Sequence, residues 1–243
     1  MTELSSKPVL ETALAHRSIR KFTGEAIAPE MLAAVIDAGK AASTSSFMQT
    51  THVIRVTDPE IRKGLRAVGA NQHYIETCAE FLVFCMDLAK HKQFVPEAET
   101  DWTEVVLAGA VDAGIMAQNV LLAAESLGLG GVYIGSLRDD ISRTAEWLQL
   151  PEHVVPLFGM SLGHPAQEPL FRPRLPAADT VSENHYRPMA EEAFAEYNAL
   201  VKDYYQRRSN LDLDWQQQIR STFCAKVKRD VLPFLQKQGF AKK

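Results

Sequence analysis

Cysteine is scarce in this chain of 243 residues: Cys78, Cys85 and Cys224 make neither a CxxC pair nor an even-numbered framework. That spacing excludes a disulfide scaffold, and apolar neighbours such as Phe84 and Met86 mark reduced core residues of a cytoplasmic protein. HExxH, an EF-hand loop and a Ser-His-Asp order are missing, and the seven histidines (His16, His52, His73, His91, His153, His164, His185) are scattered. No metal site is therefore expected, and no catalytic triad. A basic surplus is lacking too: the formal charge is -4, which argues against nucleic acid or a membrane surface as partner. Met1–Lys7 has no apolar signal core behind a basic start, so export is not expected. The longest apolar stretch, Val105–Leu127, is broken by Asp112, Gln118, Asn119 and Glu125. It reads as a buried helix of a soluble protein, not a membrane span.

What is there is a chain of alternating helical and strand signals without internal repeat. Leu10–His16, a helix opened by Pro29, Glu60–Val68, a short segment leading to Glu80, Glu104–Leu127, Asp140–Leu148, Glu191–Arg207 and Trp215–Gln236 have helical spacing, the last interrupted near Pro233. His52–Thr57, Phe81–Met86, Val132–Gly135 and Pro156–Leu162 read as strands. Residues 165–188 hold five of the twelve prolines and read as an extended arm. The class is α+β or α/β with a small mixed sheet, in one domain over 1–243 that ends in helices over 189–243. Helix 104–127 is rich in Ala and Gly, so it is either the central core helix or the face that meets a second subunit.

Charge is concentrated in two places. His16-Arg17-Ser18-Ile19-Arg20-Lys21 packs three fixed cations, an imidazole and a hydroxyl together. Arginine forks grip phosphate oxygens well, but cations after a helix also simply complement its dipole. Residues 202–243 carry ten Lys/Arg against four Asp/Glu, while the first 201 carry sixteen against twenty-six. That tail reads as a solvated helical surface or as part of an anionic-ligand site. Ser43–Ser46 offers hydroxyls on a loop and is equally an ordinary turn. Gly128–Gly135 lacks GxGxxG spacing and ends a helix, so it is no dinucleotide fingerprint, although its glycines admit a planar ligand close to the backbone. In Arg172-Pro173-Arg174, proline stiffens a segment bearing two cations, and a surface position alone would also explain them.

Taken in order, six segments are similar to the FMN-dependent, NADPH-preferring nitroreductases and flavin oxidoreductases of bacteria, the oxygen-insensitive NADPH nitroreductases among them. They are His16-Arg17-Ser18-Ile19-Arg20, Ser45-Ser46-Phe47, Ala79-Glu80-Phe81, Met116-Ala117-Gln118-Asn119, Gly130–Gly135 and Pro173-Arg174-Leu175-Pro176. The resemblance spans nearly the whole chain. It implies the α+β nitroreductase fold, a small mixed β-sheet surrounded by helices, in an interlocked homodimer with two tightly held FMN at the interface.

By the same resemblance, His16, Arg17, Ser18, Arg20, Arg172 and Arg174 hold the FMN phosphate, with Arg172 standing where lysine is common. Thr44, Ser45, Ser46, Gln49 and Gln72 contact the ribityl chain and ring, and Tyr133, Ile134, Gly135 and Ser136 line the flavin, Ser136 replacing a frequent glycine. Arg208 is expected to meet the NADPH 2′-phosphate, although Leu211-Asp212-Leu213-Asp214 is shorter and more acidic than the family's basic loop, which leaves NADH possible. The implied reaction is ping-pong hydride transfer through FMN N5 to nitroaromatics or quinones, so no protein residue is itself catalytic. Alternatives are a reductase supplying free reduced flavin, a flavin-binding protein without turnover, and a nucleic-acid binder resting on the basic segments.

Overall fold

Strand β2 (Glu80–Asp87) is buried at all eight residues and organises the fold. It sits inside a four-stranded sheet with β1 (Thr51–Val56), β3 (Gly130–Ile134) and β4 (Val154–Gly163), in the order β1-β2-β4-β3. The structure is a computed structural model that describes residues 5–224 and 230–243. Alternate side chains of β2 enter two cores, as a pleated strand requires. Leu82 and Phe84 join Ala117, Val120, Leu121 and Ala124 of helix α6 (Thr103–Ser126) and Val35 of α2 (Pro29–Lys40). Phe81, Val83 and Cys85 join Leu65 of α3 (Pro59–Val68), Tyr74 and Ile75 of α4 (Tyr74–Thr77), and Ile134 and Leu137. Trp147, the last residue of α7 (Ile141–Trp147), packs against that second core. Burying a phenylalanine such as Phe81 or Phe84 contributes about 1.5–3 kcal/mol. A Cβ on Gly39 would overlap Val120, so the α2–α6 contact needs that glycine.

Helix α6 ends in a Schellman motif. Gly128 takes φ +82°, its N–H donates to Glu125 O, and Leu129 N–H donates to Ala124 O. The turn hands the chain to β3, as the glycine run predicts. Helix α1 (Val9–Ala15) precedes α2, and α5 (Ala89–Phe94), which periodicity does not announce, follows β2. The described residues fall into two compact units, one within Met1–Pro169 and Lys228–Lys243, the other within Leu170–Val227. In the first unit the chain returns through α11 (Val231–Lys237), where Phe234 and Phe240 pack with Met86, Leu88 and Val155. The second unit contains α8 (Ala177–Thr180), α9 (Glu191–Ser209) and α10 (Trp215–Phe223), of which α9 and α10 meet on Val201, Tyr204, Tyr205, Tyr197 and Trp215.

Two expectations are corrected, and a third falls partly outside the described residues. Among the described residues the sheet is not mixed: its three ladders are antiparallel, and the parallel contact is a single bridge, Ser18–Gly131. The proline-rich arm contains one helical turn, α8, started by Pro176 at its N-cap, where a fixed φ suits a helix entry. The expected helix Trp215–Gln236 is described as α10 and α11, and its stretch 225–229 lies outside the described residues.

Candidate functional site

Helix α1 stops at His16, whose backbone is already extended (φ -48°, ψ 132°). Arg17 Nη1 donates to Ala15 O (2.7 Å) and His16 O (3.0 Å), so this cation does serve the helix end. From Ser18 onward the segment runs beside β3. Ser18 bridges Gly131, Ile19 N–H donates to Gly131 O at 3.0 Å, and Phe22 bridges Pro165 beyond β4. Ile19 is buried against Gly130, while Ser18 and Arg20 stay half-buried at the surface. Arg20 Nη1 reaches Ser18 O at 3.4 Å, a long and weak bond. His16 Nδ1 lies 2.6 Å from Glu125 Oε1 near the end of α6, so the carboxylate accepts and the proton sits on Nδ1. Glu125 is a partner of a candidate site residue that sequence reasoning misses; the signal for it was a charge interrupting an apolar helix.

Strand β3 delivers Tyr133, Ile134, Gly135 and Ser136 next to that segment, with the two side chains on opposite faces. Ile134 enters the α3–α4 core, while the Tyr133 ring lies edge-on to Phe158 and its hydroxyl donates to Gln118 Oε1 at 3.2 Å. Burial, and secondarily the Glu125 charge, push the Tyr133 phenol up to about 12. A 3₁₀ helix, Gly135–Asp140, follows β3. Ser136 Oγ is buried without a hydrogen-bond partner, and so is Gln72 Oε1. Gln72 follows two left-handed residues, Ala70 and Asn71, and Asn71 Oδ1 accepts from Arg66 Nε at 2.8 Å. Arg138, also missed in the sequence, donates to Leu157 O and lies near enough that a Cβ on Gly135 would be 3.6 Å from its Nη2. Burial pulls its pKa down from the usual value, against an opposing pull from Asp139.

The hydroxyl loop is built differently. Thr44 precedes a 3₁₀ turn, Ser45–Phe47, and Ser46, Phe47 and Gln49 all have positive φ. Ser45 N–H donates to Asp112 Oδ1 at 2.9 Å, and Gln49 N–H donates to Thr44 Oγ1 at 3.2 Å. Asp112 and Glu125 both belong to α6, thirteen residues apart and so about 20 Å along its axis. One chain therefore holds the hydroxyl loop near the middle of α6 and His16 near its C-terminal end.

Arg172, Arg174 and Arg208 lie in the second unit. Arg172 Nη2 donates to Tyr205 Oη at 2.6 Å with its guanidinium over the same ring, and Arg174 Nη1 donates to Arg172 O at 2.8 Å. Arg208 lies over the Tyr204 ring. The acidic residues after α9 are spent locally: Asp212 pairs with Lys202 at 2.9 Å, and Asp214 caps α10 in a capping box with Gln217. Burial pushes the Cys85 thiol up to about 12 and raises that of Cys78, so neither is poised as a nucleophile.

Comparison with known proteins gives a consistent result. A model described as "Nitroreductase family" matches residues 13–101 and 83–164, and one described as "Nitroreductase family, C-terminal domain" matches residues 172–243. The chain is 48% identical over 236 residues to an NADPH-flavin oxidoreductase of Vibrio harveyi, covering 96% of this chain and 98% of that protein. It is 44% identical, with the same coverage, to an oxygen-insensitive NADPH nitroreductase of Salmonella typhimurium. A solved structure, an NADPH:FMN oxidoreductase from Vibrio harveyi complexed with NAD+, superposes with a TM-score of 0.92 at 46% identity, covering 97% of this chain and 99% of the other.

Proposed function

The chain belongs to the nitroreductase family, and from that premise we propose that it is an NADPH-dependent oxidoreductase that holds FMN and reduces nitroaromatics and quinones. The observation that carries the reading is the seating of Ser18–Arg20 along Gly131. It brings phosphate-binding groups beside the β3 backbone. Gln72 and Ser136 also fit the group, since each keeps a buried oxygen with no protein partner. FMN, when bound, supplies the two-electron carrier between NADPH and the acceptor.

The protein's own part is binding and orientation. Arg20 and Ser18 grip the phosphate through charge-assisted and neutral hydrogen bonds. Arg17 keeps α1 in place and Glu125 fixes the orientation of His16. Tyr133 and Ile134 meet the ring through their backbone, because their side chains leave the strand on opposite faces. Arg138 adds a fixed positive charge near Gly135, where it favours negative charge on the ring. For Arg172 and Arg174 the phosphate role rests on the resemblance; Tyr205 braces Arg172, and the Arg172 carbonyl braces Arg174.

A homodimer follows from the same reading. Leu107, Val111 and Ile115 form an exposed apolar stripe on α6, the kind of surface a second copy covers. The separation of about 20 Å between Asp112 and Glu125 supports a flavin shared by two copies, one giving the cationic segment and the other the hydroxyl loop. A cytoplasmic location is supported by the buried free thiols Cys78 and Cys85. Arg208 favours NADPH, and the local pairing of Asp212 and Asp214 reduces their repulsion of a 2′-phosphate.

Anaerobic titration of the purified protein tests this. NADPH should bleach its flavin, a quinone or nitrofuran should restore the colour, and NADH should bleach less efficiently. Losing the Arg208 contact in Arg208→Ala should cut the NADPH preference by about ten- to a hundredfold. A flavin that neither nicotinamide bleaches would mark a binding protein without turnover. Faster turnover of free FMN than of any nitro compound would favour the flavin-reductase role, which the name of the Vibrio harveyi relative keeps in view.

A further inference from the structure

We propose that Asp112 is a positioning residue for flavin binding: it holds the Thr44–Thr50 loop in the one shape that presents Ser45, Ser46 and Gln49 outward. The inference rests on the FMN reading above. Asp112 is 3% exposed in an otherwise apolar stretch of α6, between Val111 and Ala113. A buried carboxylate is costly unless it is hydrogen-bonded, and an alanine would serve packing alone at less cost. What Asp112 binds is the loop. Its Oδ1 accepts from Ser45 N–H at 2.9 Å and its Oδ2 from the Thr50 hydroxyl at 3.4 Å, one anchor at each end of the turn.

Between those anchors the backbone is strained, with Ser46, Phe47 and Gln49 in left-handed conformations that residues other than glycine rarely adopt. Such a shape persists only where its surroundings enforce it. Other backbone groups are tied as well: Met48 N–H donates to Ser45 O, His91 Nε2 donates to Met48 O at 2.7 Å, and Thr50 O accepts from Asp87 N–H at 2.7 Å. Ser45, Ser46 and Gln49 nonetheless remain exposed. An exposed turn with its backbone fixed and its polar side chains unspent is already ordered for a ligand, which lowers the ordering cost of binding.

The test uses the purified full-length chain, with FMN release on dilution read from recovery of free-flavin fluorescence, and amide hydrogen exchange on the same samples. Asp112→Ala should raise the FMN Kd about tenfold or more, and Asp112→Asn, which keeps a neutral acceptor for Ser45 N–H, should fall between it and wild type. Exchange at Ser45 should quicken in the same graded order while amides of β2 stay protected. Where Asp112→Ala does not fold, the isosteric Asp112→Asn carries the test alone. An unchanged Kd with unchanged Ser45 exchange overturns the proposal, and so does equal quickening at β2, which marks general loss of stability. A wild-type chain that binds no FMN removes the flavin reading together with this inference. A wild type and an Asp112→Ala variant that bind FMN equally well remove the inference alone.

Discussion

The two halves of the proposed flavin site, the cationic segment and the hydroxyl loop, are held by different physics. Residues 18–22 are laid against β3 and the end of β4 by backbone bridges, and Ile19 is wedged into Gly130. Residues 44–50 are in none of the β-bridges of the described residues: one backbone bond from Asp87 of β2 meets the loop at its end, Thr50, and two side chains, Asp112 and His91, hold the backbone at Ser45 and Met48. The first half inherits the rigidity of the sheet. The second depends on single side chains, and so it is the half that point mutations loosen without disturbing the core.

The largest effect should come from breaking the rigid half at its wedge. A Cβ on Gly130 would lie 2.5 Å from Ile19 Cγ1, so Gly130→Ala must displace Ile19 and with it Ser18 and Arg20. Overpacking of this kind costs about 1–3 kcal/mol, and both the melting temperature and the flavin content should fall. An equal loss of stability with full flavin content would show that the segment's seating does not govern binding. The hydroxyl loop should behave in the opposite way, losing affinity in Asp112→Ala with little change in the sheet.

The smallest effect concerns Tyr133, beside the rigid half. Its folded pKa is about 12 against an ordinary 10.0, raised chiefly by burial. Between those values the unfolded phenol has lost its proton while the folded one keeps it, so the unfolded state binds fewer protons and stability falls as pH rises. Tyr133→Phe should flatten that alkaline limb of a melting-temperature profile slightly. A profile identical to wild type from pH 10 upward would show that Tyr133 does not contribute to it.

Much of the fold is legible in the sequence, because helix and strand periods are local properties. All four strands and the long helix lie within a few residues of where alternation and apolar spacing put them. The sense of the sheet was not legible. Phe81–Met86 is a continuous apolar run, a pattern typical of parallel strands, yet β2 is antiparallel to both neighbours. The reason is coverage: α6 lies on one face and α3, α4 and α7 on the other, so both faces of an antiparallel strand are dry. In the site, His16–Arg20 stood out by composition. Asp112 and Glu125 did not, since each reads only as a break in an apolar helix. Their partners, Ser45 and His16, are 67 and 109 residues away, and nothing local in the chain announces such pairings.

The most direct measurement of the central claim is flavin occupancy and FMN affinity in Arg20→Ala, the cation that the ladder seats at the surface beside β3. The predicted result is a colourless, correctly folded protein whose FMN Kd is raised about ten- to a hundredfold, the worth of one charge-assisted phosphate contact, and whose activity returns when FMN is added in excess. Full flavin occupancy and an unchanged Kd in Arg20→Ala would contradict it.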